Sequence, residues 1–261
     1  KAFATLQKAI DSCTDNRGDV IVRLPGSETT SATINMNKAG VTIISDVTGS
    51  GFIGYGTNPL IAEKFATYPS VALSGPTMIV SQPCALVGLE FVGRNTTSGY
   101  TDTGVDSGAA VVFIGEGGGY LGGFSLIKNC RFTDWWGNDY GIEFAAGAYN
   151  LIENCTFDGY AAGVYVRSTA SNNPTNIIIR DSEFLNCVNG IEHKAGSTPH
   201  DVVYGPRNWF YDCSGFPIDT TNVGDGVIIG NYFPDDTDAT AYDQDVALIP
   251  LKCAGNSYQE S

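Results

Sequence analysis

Six phenylalanines, Phe91, Phe132, Phe157, Phe184, Phe210 and Phe233, each close a short apolar phrase of the chain. After Phe132 they recur at intervals of 25, 27, 26 and 23 residues. A period of this length with one β-type phrase per repeat confines the chain to a solenoid, in which identical positions stack. The phrases are "LIKNCRF", "LIENCTF", "IIIRDSEF", "VVYGPRNWF" and "VIIGNYF". Each reads as one strand followed by a turn and a second strand, the latter being "GIEFAAG", "GVYVRST", "GIEHKAG" and "FPIDTTN".

Stacking turns each position into a ladder. Two residues before the aromatic stand Cys130, Cys155, Ser182, Asn208 and Asn231; three residues after it stand Cys187 and Cys213. Adjacent strands lie about 4.8 Å apart, so a disulfide, a metal site and a row of free thiols are all open to such cysteines. In-register side chains point the same way, whereas a disulfide needs converging Cβ–S vectors. There is no Cys-x-x-Cys, and His193 and His200 are the only histidines. The expectation is a core ladder of Cys130, Cys155, Cys187 and Cys213 beside Phe132, Phe157 and Phe184, with no metal bound there. Seven cysteines is an odd count, which leans towards folding in a reducing compartment.

At the amino end, Phe3, Leu6, Ala9, Ile10 and Cys13 share one side of a short helix. Strands follow in "DVIVRLPG" and "INMNKAGVTIIS". The segment 93–109 reads as a polar loop inserted between coils, and no linker divides the chain. A single all-β domain over 1–261 is expected, with a helix in 1–13, coils over 19–233 and a C-terminal segment over 234–261. With 32 glycines and 16% charged residues, the composition suits many turns. A net charge of −14 argues against nucleic acid as partner. No apolar run of about 18 residues suggests membrane insertion.

These motifs resemble the right-handed parallel β-helix superfamily, the pectate-lyase-like fold, over nearly the whole chain. The resemblance implies that the first helix caps the solenoid, which would otherwise expose its core and strand edges. "KAFATLQKAIDSCTDNRGDVIVRLPG" with "INMNKAGVTIIS" is most similar to β-helical proteins of tailed, particularly marine, bacteriophages. That similarity implies a virion component, such as a capsid decoration protein or a head or tail fibre. It would associate with other virion proteins and with itself as a homotrimer, after assembly in the bacterial cytoplasm. It also implies a leader before Lys1.

Alternation along the second strands points Ile142, Val164, Ile191 and Ile218 inwards and Glu143, Tyr165, Glu192 and Asp219 outwards. Carboxylates one or two coils apart approach the roughly 5–10 Å separations of glycosidase pairs. Glu143, Glu192 and Asp219 are therefore the alternative catalytic set, for a polysaccharide lyase or glycoside hydrolase. The motifs of polygalacturonases and pectate lyases are missing, so a non-enzymatic role is preferred; a repeat stacks whatever it repeats. Tyr165, Arg167, Lys194 and the pair Trp135–Trp136 are candidates for holding a surface glycan, as in a virion protein or a secreted adhesin. No cofactor is implied; the Asp-rich stretch "PDDTDATAYDQD" could hold Ca²⁺ through oxygen ligands, although a solvated loop accounts for it as well.

Overall fold

The structure, a computed structural model, describes residues 2–24, 28–30, 32–45, 66–69, 76–92, 109–114, 122–133, 140–167, 174–193, 201–219, 225–233, 242–243 and 251–258. The loop 93–108, Trp135, Trp136, Lys194, His200 and most of the Asp-rich stretch lie outside them. So does the side chain of Cys253.

Among the described residues the strands form three parallel sheets of nine, nine and eight strands. Each sheet takes one strand from each coil in turn. The phrase "LIKNCRF" is two strands, Leu126–Lys128 in the first sheet and Arg131–Thr133 in the second, rather than the single strand expected. Asn129 turns the chain between them with a φ of 55°. The same corner recurs at Asn154 and Asp181, residue types that tolerate the left-handed region. Tyr140–Phe144 then enters the third sheet, so a coil has three sides. The coils also continue beyond 233. Leu251–Ala254 pairs with Gly226–Ile229, and Ser257–Tyr258 with Tyr232–Phe233, so part of the expected C-terminal segment is a further coil.

Inward residues fill the solenoid in ladders. Phe91, Phe132, Phe157, Phe184, Phe210 and Phe233 stack face to face with centroids 4.7–5.3 Å apart. That spacing is the strand separation itself. Ring edges pack on the glycines that open the third-sheet strands. A Cβ at Gly163 would stand 2.6 Å from Cδ1 of Phe184, and one at Gly190 the same distance from Phe210. The recurrent Gly-aliphatic phrase is therefore a packing requirement of the aromatic ladder.

The cysteine position has a hydrogen-bonding task as well as a packing one. Asn208, Asn231 and Asn256 donate from their amides to the carbonyls of Ile179, Tyr204 and Ile228. Their amide oxygens accept from the backbone N–H of Ser182, Asn208 and Asn231 in the preceding coil. The thiols of Cys130 and Cys155 lie 3.5 and 3.6 Å from the carbonyls of Leu86 and Ile127, the equivalent acceptors one coil back. Cysteine here is a small donor in a buried corner, where an unmet carbonyl would cost stability. None of Cys13, Cys84, Cys130, Cys155, Cys187 and Cys213 takes part in a disulfide.

The first helix is Leu6–Asp11, with Thr5 as its N-cap accepting from the Lys8 N–H. It buries Leu6, Ala9 and Ile10 in the core at the amino end. Gln7 ties it to the first third-sheet strand, accepting from the Asn35 N–H at 2.7 Å. Phe3, expected on the buried side, remains 38% exposed because the helix begins after it.

Candidate functional site

The third sheet brings the expected outward row into register. Val112, Glu143, Tyr165 and Glu192 are direct neighbours across successive strands. The pairing of Ile191 with Ile218 carries the row on to Asp219. These side chains do not, however, form one solvated stripe. Val112 and Glu143 are fully buried, and Tyr165 and Arg167 nearly so. Ala109, Val112 and Ala145 make a second apolar cluster on this outer side, with Tyr140 packed against it. The rings of Tyr140 and Tyr165 stack at 4.1 Å.

Glu143 is thus corrected from an exposed acid to one half of a buried ion pair. Arg167 reaches from the next coil to place its guanidinium 2.6 Å from Oε1 of Glu143. A carboxylate withdrawn from water needs such a counter-charge, because burial otherwise disfavours its charged form. The expectation of Tyr165 and Arg167 as open glycan contacts is corrected for the same reason. Their surfaces are taken up by protein.

Two coils further on, the row opens. Glu192 and Asp219 are half-buried and sit at equivalent positions of adjacent strands. Nδ2 of Asn189 donates to Oε2 of Glu192 at 3.0 Å. Burial raises the Glu192 carboxyl above its usual range, the Asn189 amide opposes this, and the Asp219 charge adds to the rise. Of the expected catalytic set, these two are brought together in a part-open setting, and Glu143 is set apart from them.

His193, next to Glu192, points the other way. It lies fully inside the solenoid, with Nε2 2.7 Å from the hydroxyl of Tyr204. Burial lowers its pKa to about 3 and raises that of Tyr204. The imidazole is neutral and structural. Its proximity in sequence to Lys194 says nothing about a shared surface.

A further feature went unread in the sequence. In four successive coils the residue two before the outward aliphatic of the first sheet forms its own row, Phe124, Tyr149, Asn176 and Asp201, all at φ between 51° and 62°. The signal was present as the shared offset in "FSLIK" and "YNLIE".

Among the described residues no group of three or more His, Cys, Asp or Glu stands close enough to hold a metal. No described helix is long and apolar enough to cross a membrane.

The family described as "Right handed beta helix region" matches residues 115–231. No curated protein matches the chain. Among solved structures, a pectin methylesterase from carrot superposes with a TM-score of 0.58 at 10% identity, covering 98% of this chain and 79% of that one. An Aspergillus niger pectin methylesterase gives 0.49 at 14% identity, with 98% and 82% covered. ORF18 of Geobacillus virus E2 gives 0.45 at 11%, with 97% and 56% covered. At these identities the likeness is one of fold, and activity has to be argued from the residues themselves. Three parallel sheets wound coil upon coil, together with the matched segment, make this chain a right-handed parallel β-helix.

Proposed function

We propose that the chain is a structural component of a bacteriophage particle, a β-helical decoration or fibre-type protein that self-associates as a homotrimer. The observation that carries this reading is the closure of the outer row of the third sheet at Glu143 and Tyr165. A polymer-cleaving enzyme needs its carboxylates facing substrate, whereas Glu143 is spent on Arg167 inside the protein. The similarity of the first helix and first strands to phage β-helical proteins supports the same reading. Buried free thiols suit a protein folded in a reducing bacterial cytoplasm before particle release.

Quantitative mass spectrometry of purified particles tests the proposal, with electron cryomicroscopy for symmetry. The chain is expected at a fixed copy number related to the particle's symmetry. Its absence from particles that package DNA normally would overturn the reading.

A second reading has one observation in its favour. Glu192 and Asp219 are adjacent carboxyl groups, and the environment raises one of them, as acid–base pairs in glycoside cleavage require. If the chain is a polysaccharide lyase or hydrolase, reducing ends appear from a polysaccharide substrate and disappear with Glu192→Gln.

A further inference from the structure

The outer side of the first sheet carries a groove of about 710 Å³, within the range of small-ligand sites. Its floor is the outward aliphatic row Leu151, Ile178, Val203 and Val227, and its rim is the row Tyr149, Asn176, Asp201 and Asp225. Tyr149 closes one end. Its ring is 54% exposed and stacks at 4.9 Å and 18° on Phe124, itself 62% exposed.

This centroid distance equals the spacing of coils, so the two rings stack along the solenoid axis. Phe124 backs one face of Tyr149, and the other face turns towards the next coil, where the rim holds the smaller Asn176. Both aromatic residues occupy the left-handed region, at φ 55° and 62°. Bulky side chains are genuine outliers there, unlike Asn, Asp or Gly. Of the eleven described non-glycine residues with positive φ, eight are Asn or Asp. Arg207, one of the other three, is held by an ion pair with Asp181. Phe124 and Tyr149 are instead strained and turned towards water, and strain kept at an exposed site points to use.

We infer that this groove binds a neutral sugar residue at the end of an oligosaccharide, stacked on the free face of Tyr149. The apolar face of a pyranose ring matches the aromatic face and the aliphatic floor. Its edge hydroxyls match the Asn176 amide and the Asp201 carboxylate, both donor and acceptor chemistry being present on the rim. One oxygen of Asp225 already accepts from the Asp201 N–H. With two carboxylates on the rim and a net charge of −14, uronic-acid and phosphorylated ligands meet repulsion. The inference stands apart from the virion proposal, since a groove of this chemistry would serve a secreted protein equally.

The test uses the full chain with cellohexaose, maltohexaose and N-acetylchitohexaose as probes, and hexagalacturonate and choline as controls. Saturation-transfer NMR and calorimetry read binding. At least one neutral oligosaccharide is expected to bind, with transfer strongest to its terminal residue, and hexagalacturonate is not. Tyr149→Asn and Phe124→Asn install the residue type that Asn176 supplies at this position of the row. Each should raise the melting temperature while weakening sugar binding by about tenfold or more. Failure of all three neutral probes, preference for choline, or unchanged binding in Tyr149→Asn overturns the inference. So does a sedimentation result in which Tyr149→Asn converts an oligomer to monomer, because the rings would then be a contact between copies.

Discussion

Gly163 stands where a Cβ atom would come 2.6 Å from Cδ1 and 2.8 Å from Cε1 of Phe184. Phe184 cannot give way, because Phe157 and Phe210 stack on its two faces at 4.9 and 4.7 Å. Gly163→Ala should therefore lower the urea midpoint, costing roughly 1–3 kcal/mol by overpacking; an unchanged midpoint would show that the ring can shift. The thiols are governed by similar confinement. Burial pushes Cys84 and Cys187 up to about 12, and Cys155 is raised by burial and by the adjacent Cys130. Since the thiolate is the reactive species, these cysteines should resist Ellman's reagent in the native protein at pH 8. After unfolding without reductant most of the seven should titrate; finding one or none would mean disulfides. The ladders themselves were legible because one aromatic repeats at one offset. The donor role of Cys130 and Cys155 was not legible, since their acceptors, Leu86 and Ile127, lie one coil earlier in the chain.

For strands and their faces, alternation along the chain fixed which residues share a row but not what lies over it. Glu143, Tyr165, Glu192 and Asp219 are in register as their period requires. Burial of an outer face depends on packing from outside the strand, and no local period encodes that. The three-sided coil was hidden for a related reason. Ile127, Cys130 and Phe132 all point into the core, so hydropathy runs smoothly through the corner that Asn129 makes. The buried pair supplies the sharper test of the third sheet. Replacing one partner, as in Glu143→Leu or Arg167→Met, leaves an uncompensated charge and should cost about 3–5 kcal/mol. The double variant should recover most of that loss, because two apolar side chains need no counter-charge. A double-mutant cycle by urea denaturation checks this, and simple additivity would argue that the pair is not coupled.

Across the whole molecule, stability is close to a sum over coils and the contacts between neighbours. Each coil should then be removable as a unit, provided the cut joins equivalent corners. Asp181 and Arg207 occupy the same left-handed corner in successive coils, so excision of 182–207 joins Asp181 to Asn208 with the corner intact. Phe157 then stacks on Phe210, and Thr156 faces Trp209 where it faced Glu183. The excision also removes His193 and Tyr204 together, leaving neither partner of their hydrogen bond behind. That supplies a second readout. In the intact chain the folded-state pKa of His193 is lowered to about 3, below an unfolded value near 6.5. Between those values the unfolded chain binds the proton and the folded one does not. Stability from this residue is therefore complete above about pH 6.5 and falls as the pH drops towards 3, by up to about tenfold in the folding constant per pH unit. His193→Phe should flatten this limb, and the excised chain should lack it while still unfolding cooperatively with a β-type circular dichroism spectrum. An excision only half a coil long, starting at the same corner, joins unlike positions of the coil and should abolish folding. If both deletions fold alike, or both fail, the coils do not act as independent units and the ladder picture of this solenoid is wrong.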